Sequence, residues 1–507
     1  MKGMARKRSI CILSSFFIIL AFGVLGQGSS ADQLITIAEG VGPQNLDPHL
    51  STVQAALNVA LAICEPLLLM DYSKMELKPN LAISWKAIDK TTWEFKLRRN
   101  VKFTNGEPFD ANSVKYSIER IKDPKLKAPT TILVRPIKEV KVVDSHTVHI
   151  VTTTPTPTVP LSLRTVAMVP PRYLEEKGAV EFGKNPVGTG PFQLSKWVKD
   201  EYVELKANPG YWNGKAKLDR VVYKSIPETA TRMSALRSRE ADLVSQLMIE
   251  EVPSIEKEKD LSVSKIPGLR TMFVQFNMTK ESPVLDKRIR IAMNHAVDVD
   301  SIIKNVLQGF AVKLNGQLLT KEYDGYDPNL KPYPYDPEKA RRLIKEAGYE
   351  NYEFTLMATT GRYLRDKEVA EAVGGQLNAA GIKTKVRIME WGGFLEKMLA
   401  KELFPMAFWG AATVPAADVF LGAMVKKGAA YSTYDNPEFE KLFDEGIQSI
   451  EKEKRQQLFN KMAELLYNDP PCIFLYQQMN VYGVNKRVGG WQPSPDEWID
   501  LYSLYVK

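Results

Sequence analysis

Residues 185–197 read "NPVGTGPFQLSKW", two glycines around a threonine with Pro-Phe directly behind. A phosphate-cradling loop here would give the chain a nucleotide-binding fold. A P-loop needs Gly, four residues, then Gly-Lys-Ser/Thr, and no such run occurs. The dinucleotide pattern counted from Gly188 asks for glycine at 193, where Gln193 stands, and Pro191 removes an N–H donor from any cradle. Gly188 and Gly190 are better explained by positive φ or close backbone approach, with Phe192 plugging a core. The stretch reads as a joint between chain segments, so the fold class must come from what flanks it.

Upstream, "TWEFKLR" (92–98) alternates Trp93, Phe95 and Leu97 with Glu94, Lys96 and Arg98, the period of a half-buried strand. Asn105-Gly106 supplies a hairpin-type turn. Asp110 then opens a helical stretch with Val114, Ile118 and Ile121 on one face. "TPTPTVP" (154–160) is held extended by its prolines and reads as a surface connector. Downstream, "YDPEKARRLIKEAGY" carries Asp336 as N-cap, Pro337 at the first helical position and Gly348 as terminator. A strand in "YEFTLMAT" follows, then a helix from about Asp366 to Ala380, a strand in "IKTKVRI", a helix from Trp391 and a strand in "FPMAFW". Alternating strands and helices with short connections predict an α/β lobe with a parallel or mixed sheet, while the strand-richer first half predicts a separate α+β lobe.

The length of 507 residues suggests two or three domains at roughly 150 residues each. Arg6, Lys7 and Arg8 precede an apolar run from Ile10 to Leu25, and Ser29-Ser30-Ala31 closes it, which predicts a signal peptide over residues 1–31. Its removal takes four cations away and lowers the formal charge from +8 to +4, too little for a nucleic-acid surface. Cys11 lies at the start of the apolar run and not at the cleavage point, so no lipid-anchor cysteine is expected there. Cys64 and Cys472 remain, expected as two separately buried thiols. The histidines His49, His146, His149 and His295 form no metal-binding spacing, and no H-E-x-x-H, paired C-x-x-C or G-x-S-x-G is present. The reading is therefore not an enzyme, with no cofactor and no metal site expected.

Several segments become specific together. "LAISWKAIDKTTWEFKLRRNVKFTNGEPFDANSVKYSIER" (81–120), "NPVGTGPFQLSKW", "LKANPGYWNG" (205–214), "FNMTKESPVLDKRIRIAMNHAVDVDSI", "YDPEKARRLIKEAGY" and "GRYLRDKEVAEAVGGQLNAAGIKTKV" occur in this order. They resemble the bacterial extracellular solute-binding proteins of family 5, the peptide- and nickel-type binding proteins of ABC importers. The resemblance implies a two-lobed periplasmic-binding-protein-like fold of the larger class. Lobe I would span 32–276 plus 480–507, with a subdomain near 80–160, and lobe II 277–479, joined by two hinge crossings. It also implies a monomer in the periplasm that captures a peptide-like or other small organic solute between the lobes. The closed form would deliver that solute to an ABC permease and its ATPase subunits. The alternatives are a ligand-presenting sensor for a membrane receptor and, behind it, a secreted hydrolase.

Peptide-binding members of that family place an acidic residue, which pairs with the ligand's α-amino group, where this sequence reads "FWGAATVPAADVF" (408–420). Ala411, Ala412 and Ala416 stand there, and only Asp418 remains. Either Asp418 takes over, or the ligand is not a standard zwitterionic peptide, which is the expectation. Trp391 and Trp409 are candidates for aromatic cleft walls, with core packing as the competing reading. Arg362, after a strand end where ligands gather in α/β lobes, is a candidate partner for a ligand carboxylate, or else a surface cation or interlobe bridge. Asn45 and His49 are candidates to reach the cleft from the first lobe.

Overall fold

The computed structural model describes residues 33–507 apart from Thr52, so the leader expected over 1–31 lies outside the described residues. Among the described residues no helix is long and apolar enough to cross a membrane. One strand pair organises the rest. Leu261–Phe276 runs for 16 residues and Cys472–Asn485 for 14, against about 5–6 for a common strand. They pair antiparallel from Leu261 opposite Asn485 to Gln275 opposite Cys472. Their two ends serve different cores. Leu261 and Val481 pack with Ala38, Met233 and Leu236, and Tyr482 and Val484 with Ile35, Phe192 and Val221. Phe273, Val274, Phe276, Ile473 and Phe474 instead join Phe354, Phe408 and Phe459.

The same pair forms the middle of an 11-stranded sheet. Its order is Thr384–Met389, Phe354–Thr359, Met406–Ala411, Leu261–Phe276, Cys472–Asn485, Leu243–Ser245, Leu34–Glu39, Arg220–Ser225, Tyr202–Ala207 and Phe192–Val198, with Ala311–Lys313 on Cys472–Asn485. Phe354–Thr359 runs parallel to both its neighbours, as does Leu34–Glu39. Most other pairings are antiparallel, so the sheet is mixed. A separate four-stranded antiparallel sheet, Ala82–Ala87, Thr92–Leu97, Thr147–Thr152 and Ile137–Asp144 in that order, packs with the helix Ala111–Lys122 around Phe95, Val114, Ile118 and Ile150.

The alternating second half forms as its pattern predicts. Asp336 caps Pro337–Ala347, which Gly348 ends at φ 80°, and the helices Asp366–Ala379 and Trp391–Leu399 separate the parallel strands. The connector 154–160 departs from expectation. Thr154 is exposed, but Thr158, Val159 and Pro160 are buried, and a helix begins at Val159. The reason is a polar partner, because the Thr158 hydroxyl donates to Asp418 Oδ2 at 2.7 Å. Cys64 and Cys472 are free and buried, in different apolar clusters.

The quoted glycines now have a definite role. A Cβ on Gly188 would lie 1.9 Å from the Ile63 carbonyl oxygen, and one on Gly190 2.3 Å from that of Ala62. Gly190 N–H donates to Ile63 O at 2.8 Å. Neither glycine has a positive φ, so close approach is the cause: two backbones touch where no side chain fits. Phe192, fully buried, plugs the core beneath. Gly188→Ala must push the helix Gln54–Ile63 away from this segment, and we expect a loss of about 3 kcal/mol or more in urea unfolding. A change below about 0.5 kcal/mol would show that the contact is slack.

Candidate ligand cleft

The pairing of the two long strands shifts register twice, between Pro267 and Thr271 near its middle and again between Met272 and Phe273, and the first shift is the larger. Pro267 faces Met479 and Thr271 faces Gln477, so three residues, Gly268 to Arg270, stand opposite one. Such a bulge bends a strand and re-aims its side chains. The Gly268 carbonyl accepts from Gln477 Nε2 at 2.7 Å, and Leu269 N–H donates to Pro495 O at 2.9 Å. Arg270 leaves the bulge half-buried. Its guanidinium lies 5.7 Å from the Tyr363 ring centre and donates weakly to Gly410 O at 3.4 Å.

A second arginine arrives at the same ring from the strand Phe354–Thr359. The loop after that strand folds around the buried Asp366 carboxylate. It accepts from Thr359 Oγ1 at 2.8 Å, Gly361 N at 2.9 Å, Arg362 N at 3.0 Å and Tyr363 N at 3.3 Å. Held this way, the exposed Arg362 places its guanidinium 5.2 Å from Tyr363 and 5.0 Å from Trp391. Among the described residues no carboxylate lies within 4.0 Å of Arg270 or Arg362. The acid that does act on both is Glu497, whose carboxyl is pushed above its usual range by burial despite their pull.

The remaining sequence candidates lie in several settings. Trp391 is half-buried, stacked on Phe394 at 5.9 Å with Arg362 over its ring. Trp409 is only 4% exposed, its indole N–H bonded to Gln275 Oε1 at 3.0 Å and its ring edge-on to Phe273 at 5.1 Å. Asp418 is occupied by Thr158 and, at 3.4 Å, by Arg455. Asn45 and His49 belong to a network of the first half, apart from Arg270 and Arg362. Asn45 Oδ1 accepts from Asp47 N at 2.7 Å and lines an open groove of about 830 Å³ with Gln44, Tyr173 and Trp197. His49 is buried between Ala167 O at 2.9 Å and Arg120 at 2.8 Å, beside the Asp47–Arg120 ion pair. Sequence reasoning passed over Arg270, Tyr363, Asp366, Glu39 and Glu497. Glu39 ends the strand Leu34–Glu39, a carboxyl-end position that could have been flagged. Arg270, inside the apolar run "IPGLRTMFVQF", was the other available signal.

Two contacts bridge the halves beside this site, Thr158–Asp418 and the Glu250–Arg365 ion pair. Thr158→Val leaves an Asp418 oxygen without its donor, and we expect the contact between the halves to be about 1 kcal/mol weaker. Small-angle scattering should show a larger radius of gyration than wild type, and an unchanged radius would remove this contact as a latch. Burial pulls His49 down to about 4 from an ordinary 6.5. The unfolded chain therefore binds the proton first, and stability falls as pH drops from about 6.5 to about 4, by roughly 3 kcal/mol in all. His49→Gln should flatten urea stability across that window, and a slope equal to wild type would count against the assignment.

Comparison with known proteins places this geometry. The model of bacterial extracellular solute-binding proteins, family 5 Middle, matches residues 76–432. The glutathione-binding protein GsiB of Escherichia coli (strain K12) is 27% identical over 493 residues, covering 94% of this chain and 95% of its own. The solved periplasmic binding protein DppA of Helicobacter pylori, in complex with peptide STSA, has a TM-score of 0.78 at 28% identity, over 94% of this chain and 98% of that one. CtaP of Listeria monocytogenes, at 23% identity, shares the fold with a TM-score of 0.86 over 94% of this chain and 99% of its own. The mixed α/β architecture is thus that of two-lobed binding proteins, and the chain belongs to the bacterial extracellular solute-binding proteins of family 5, the solute-binding proteins of ABC importers.

Proposed function

We propose that the chain is a periplasmic receptor that closes two lobes over an acidic, peptide-like solute and presents it to an ABC permease. Lobe I comprises 32–276 with 480–507, including a subdomain near 80–160, and lobe II comprises 277–479. The apolar clusters support two cores that meet within the long strands, since the largest already takes in Leu269 to Phe276 and ends at Tyr476, while Tyr482, Val484 and Ile499 pack with the first half. The two long strands are then the crossings, and the bulge at Gly268–Arg270 is the natural bending point.

A ligand that touches both lobes only when they shut binds the shut form better, and that difference in affinity is what shifts the population. The observation that carries the ligand class is the pair Arg270 and Arg362, converging on Tyr363 without a carboxylate partner. Charges of one sign held in a partly desolvated cleft favour a ligand of the other sign. Arginine's planar fork suits a carboxylate, and the rings of the buried Tyr363 and half-buried Trp391 lie against the guanidiniums. Asp418, tied to Thr158 and Arg455, is a closing contact in this scheme and does not serve a ligand amine. The GsiB relative, named for glutathione, fits a cleft built for a compound with two carboxylates.

Native mass spectrometry of the mature protein taken from its source identifies the retained solute. Calorimetry with glutathione and with uncharged-side-chain tripeptides then tests the acidity. Arg362→Gln should weaken the acidic probe by about thirtyfold or more and the neutral tripeptides by much less. Equal losses for both, or a retained solute without any acidic group, would sink the carboxylate reading.

A further inference from the structure

Glu497, on which both arginines act, and Glu39 carry charges that no cation among the described residues contacts. We propose that Glu39 and Glu497 form a subsite for a ligand ammonium group, so that the cleft holds an acidic zwitterion with its carboxylates on Arg270 and Arg362. The proposal rests on the cleft reading above and adds the cation that the alanines at 411, 412 and 416 leave without a partner.

Glu39 stands at the carboxyl end of Leu34–Glu39, between two parallel neighbours, where the crevice of an α/β sheet opens. Its carboxylate accepts from the Ser245 hydroxyl. Glu497 enters from the C-terminal segment, with its carbonyl fixed by Asn58 Nδ2 at 3.1 Å. The two carboxyls repel each other, and Tyr482 is under the field of both. No cationic side chain among the described residues lies within 4.0 Å of either. Arg232, the cation that acts on Glu39, has its guanidinium turned to Ile226 O at 2.7 Å, Pro227 O at 2.8 Å and Thr229 Oγ1 at 3.0 Å.

An independent observation points to a missing guest. Tyr223 is 4% exposed, yet its hydroxyl makes no hydrogen bond, and Glu39 is the charged group that acts on it. Tyr223 pairs with Ile37, so it shares a sheet face with Glu39 two residues on. The Trp491 indole N–H, edge-on to Tyr482 at 5.1 Å, is buried without an acceptor too. A native fold leaves few such groups, and each calls for an explanation. The Glu39 carboxylate and the Tyr223 phenol oxygen on one sheet face, with the Glu497 carboxylate acting on Glu39, offer acceptors for the three donors of an ammonium.

The electrostatics agree. With Glu497, Arg232, Ser245, Tyr223 and Tyr482 around it, Glu39 is pushed up to about 7 from 4.5, chiefly by burial. An arriving cation brings that carboxyl down, so uptake near neutral pH releases a proton.

The test is titration calorimetry of the full mature chain with matched probes: glutathione and N-acetylglutathione, and the dipeptide Glu-Glu with and without N-acetylation. Wild type should bind the free amines about thirtyfold or more tighter than the acetylated forms. Glu39→Gln with Glu497→Gln should cut that preference to about threefold or less, whereas Asp418→Asn should weaken both forms alike and keep the ratio. If wild type binds free and acetylated probes equally, or if Asp418→Asn abolishes the preference, the ammonium subsite is wrong and the cleft stands. If neither member of either pair binds, the acidic-ligand reading falls with it. The wild-type comparison needs no substitution, so a misfolded variant cannot obscure the outcome.

Discussion

The pairing of Leu261–Phe276 with Cys472–Asn485 is the constraint on which the other parts depend. A ladder of backbone hydrogen bonds resists bending along its length, so its wider break, the three residues Gly268 to Arg270 opposite one, concentrates whatever motion the halves have. That place is closely specified. A Cβ on Gly268 would fall 2.5 Å from Asn480 Oδ1, and Asn480 itself donates to Pro495 O at 3.1 Å. The bulge is thereby stitched to the segment that carries Glu497. Arg270 stands in the bulge, so the residue that would hold a ligand is also the residue at the bend.

Charges in this molecule fall into two populations. In the interior, Asp47 meets Arg120, Arg290 meets Asp469, and Arg164 meets Asp496 at 3.0 Å, each pair further tied by hydrogen bonds. A buried charge without such company is costly enough that folding rarely leaves one. The half-buried Arg270, Glu39 and Glu497 break that pattern, and the exposed Arg362 joins Arg270 at the Tyr363 ring. Complementary charges that act on one another without pairing, as Arg270 and Arg362 act on Glu497, suit a site that is complete only when occupied.

Much of the architecture was legible because local signals agreed with each other. Asp336, Pro337 and Gly348 bracket their helix as capping chemistry dictates, and the joint at Gly188 and Gly190 was recognisable from two glycines with no phosphate motif around them. The physical choice between positive φ and close approach needed the opposing chain, Ala62 and Ile63, more than 120 residues away in sequence. The connector at 154–160 went astray for the same reason, since its prolines describe only its own backbone and not the Asp418 carboxylate that draws Thr158 inward. Of the candidates, Arg362 stood out by its place after a strand end and Trp391 as a large flat ring, and the two side chains do meet. Arg270 showed only as a lone cation in "IPGLRTMFVQF", where Pro267-Gly268 hints at a break, but what the side chain meets depends on Tyr363, far along the sequence. His49 misled because a histidine near a turn looks available, while burial and Arg120 had already settled it.

The order in which the polypeptide is made has a bearing on how it can assemble. Leu243–Ser245 finds its antiparallel neighbour only in Tyr482–Val484, and Ile499, Leu501 and Leu504 finish the apolar interior begun by Ile35 and Val59. A chain growing from its N-terminus thus completes its first-made core last, after the whole of the second half has been threaded through. Sequence-distant pairing of this kind slows collapse to the native form, and it leaves the first-half core incomplete until Tyr482 to Leu504 have emerged.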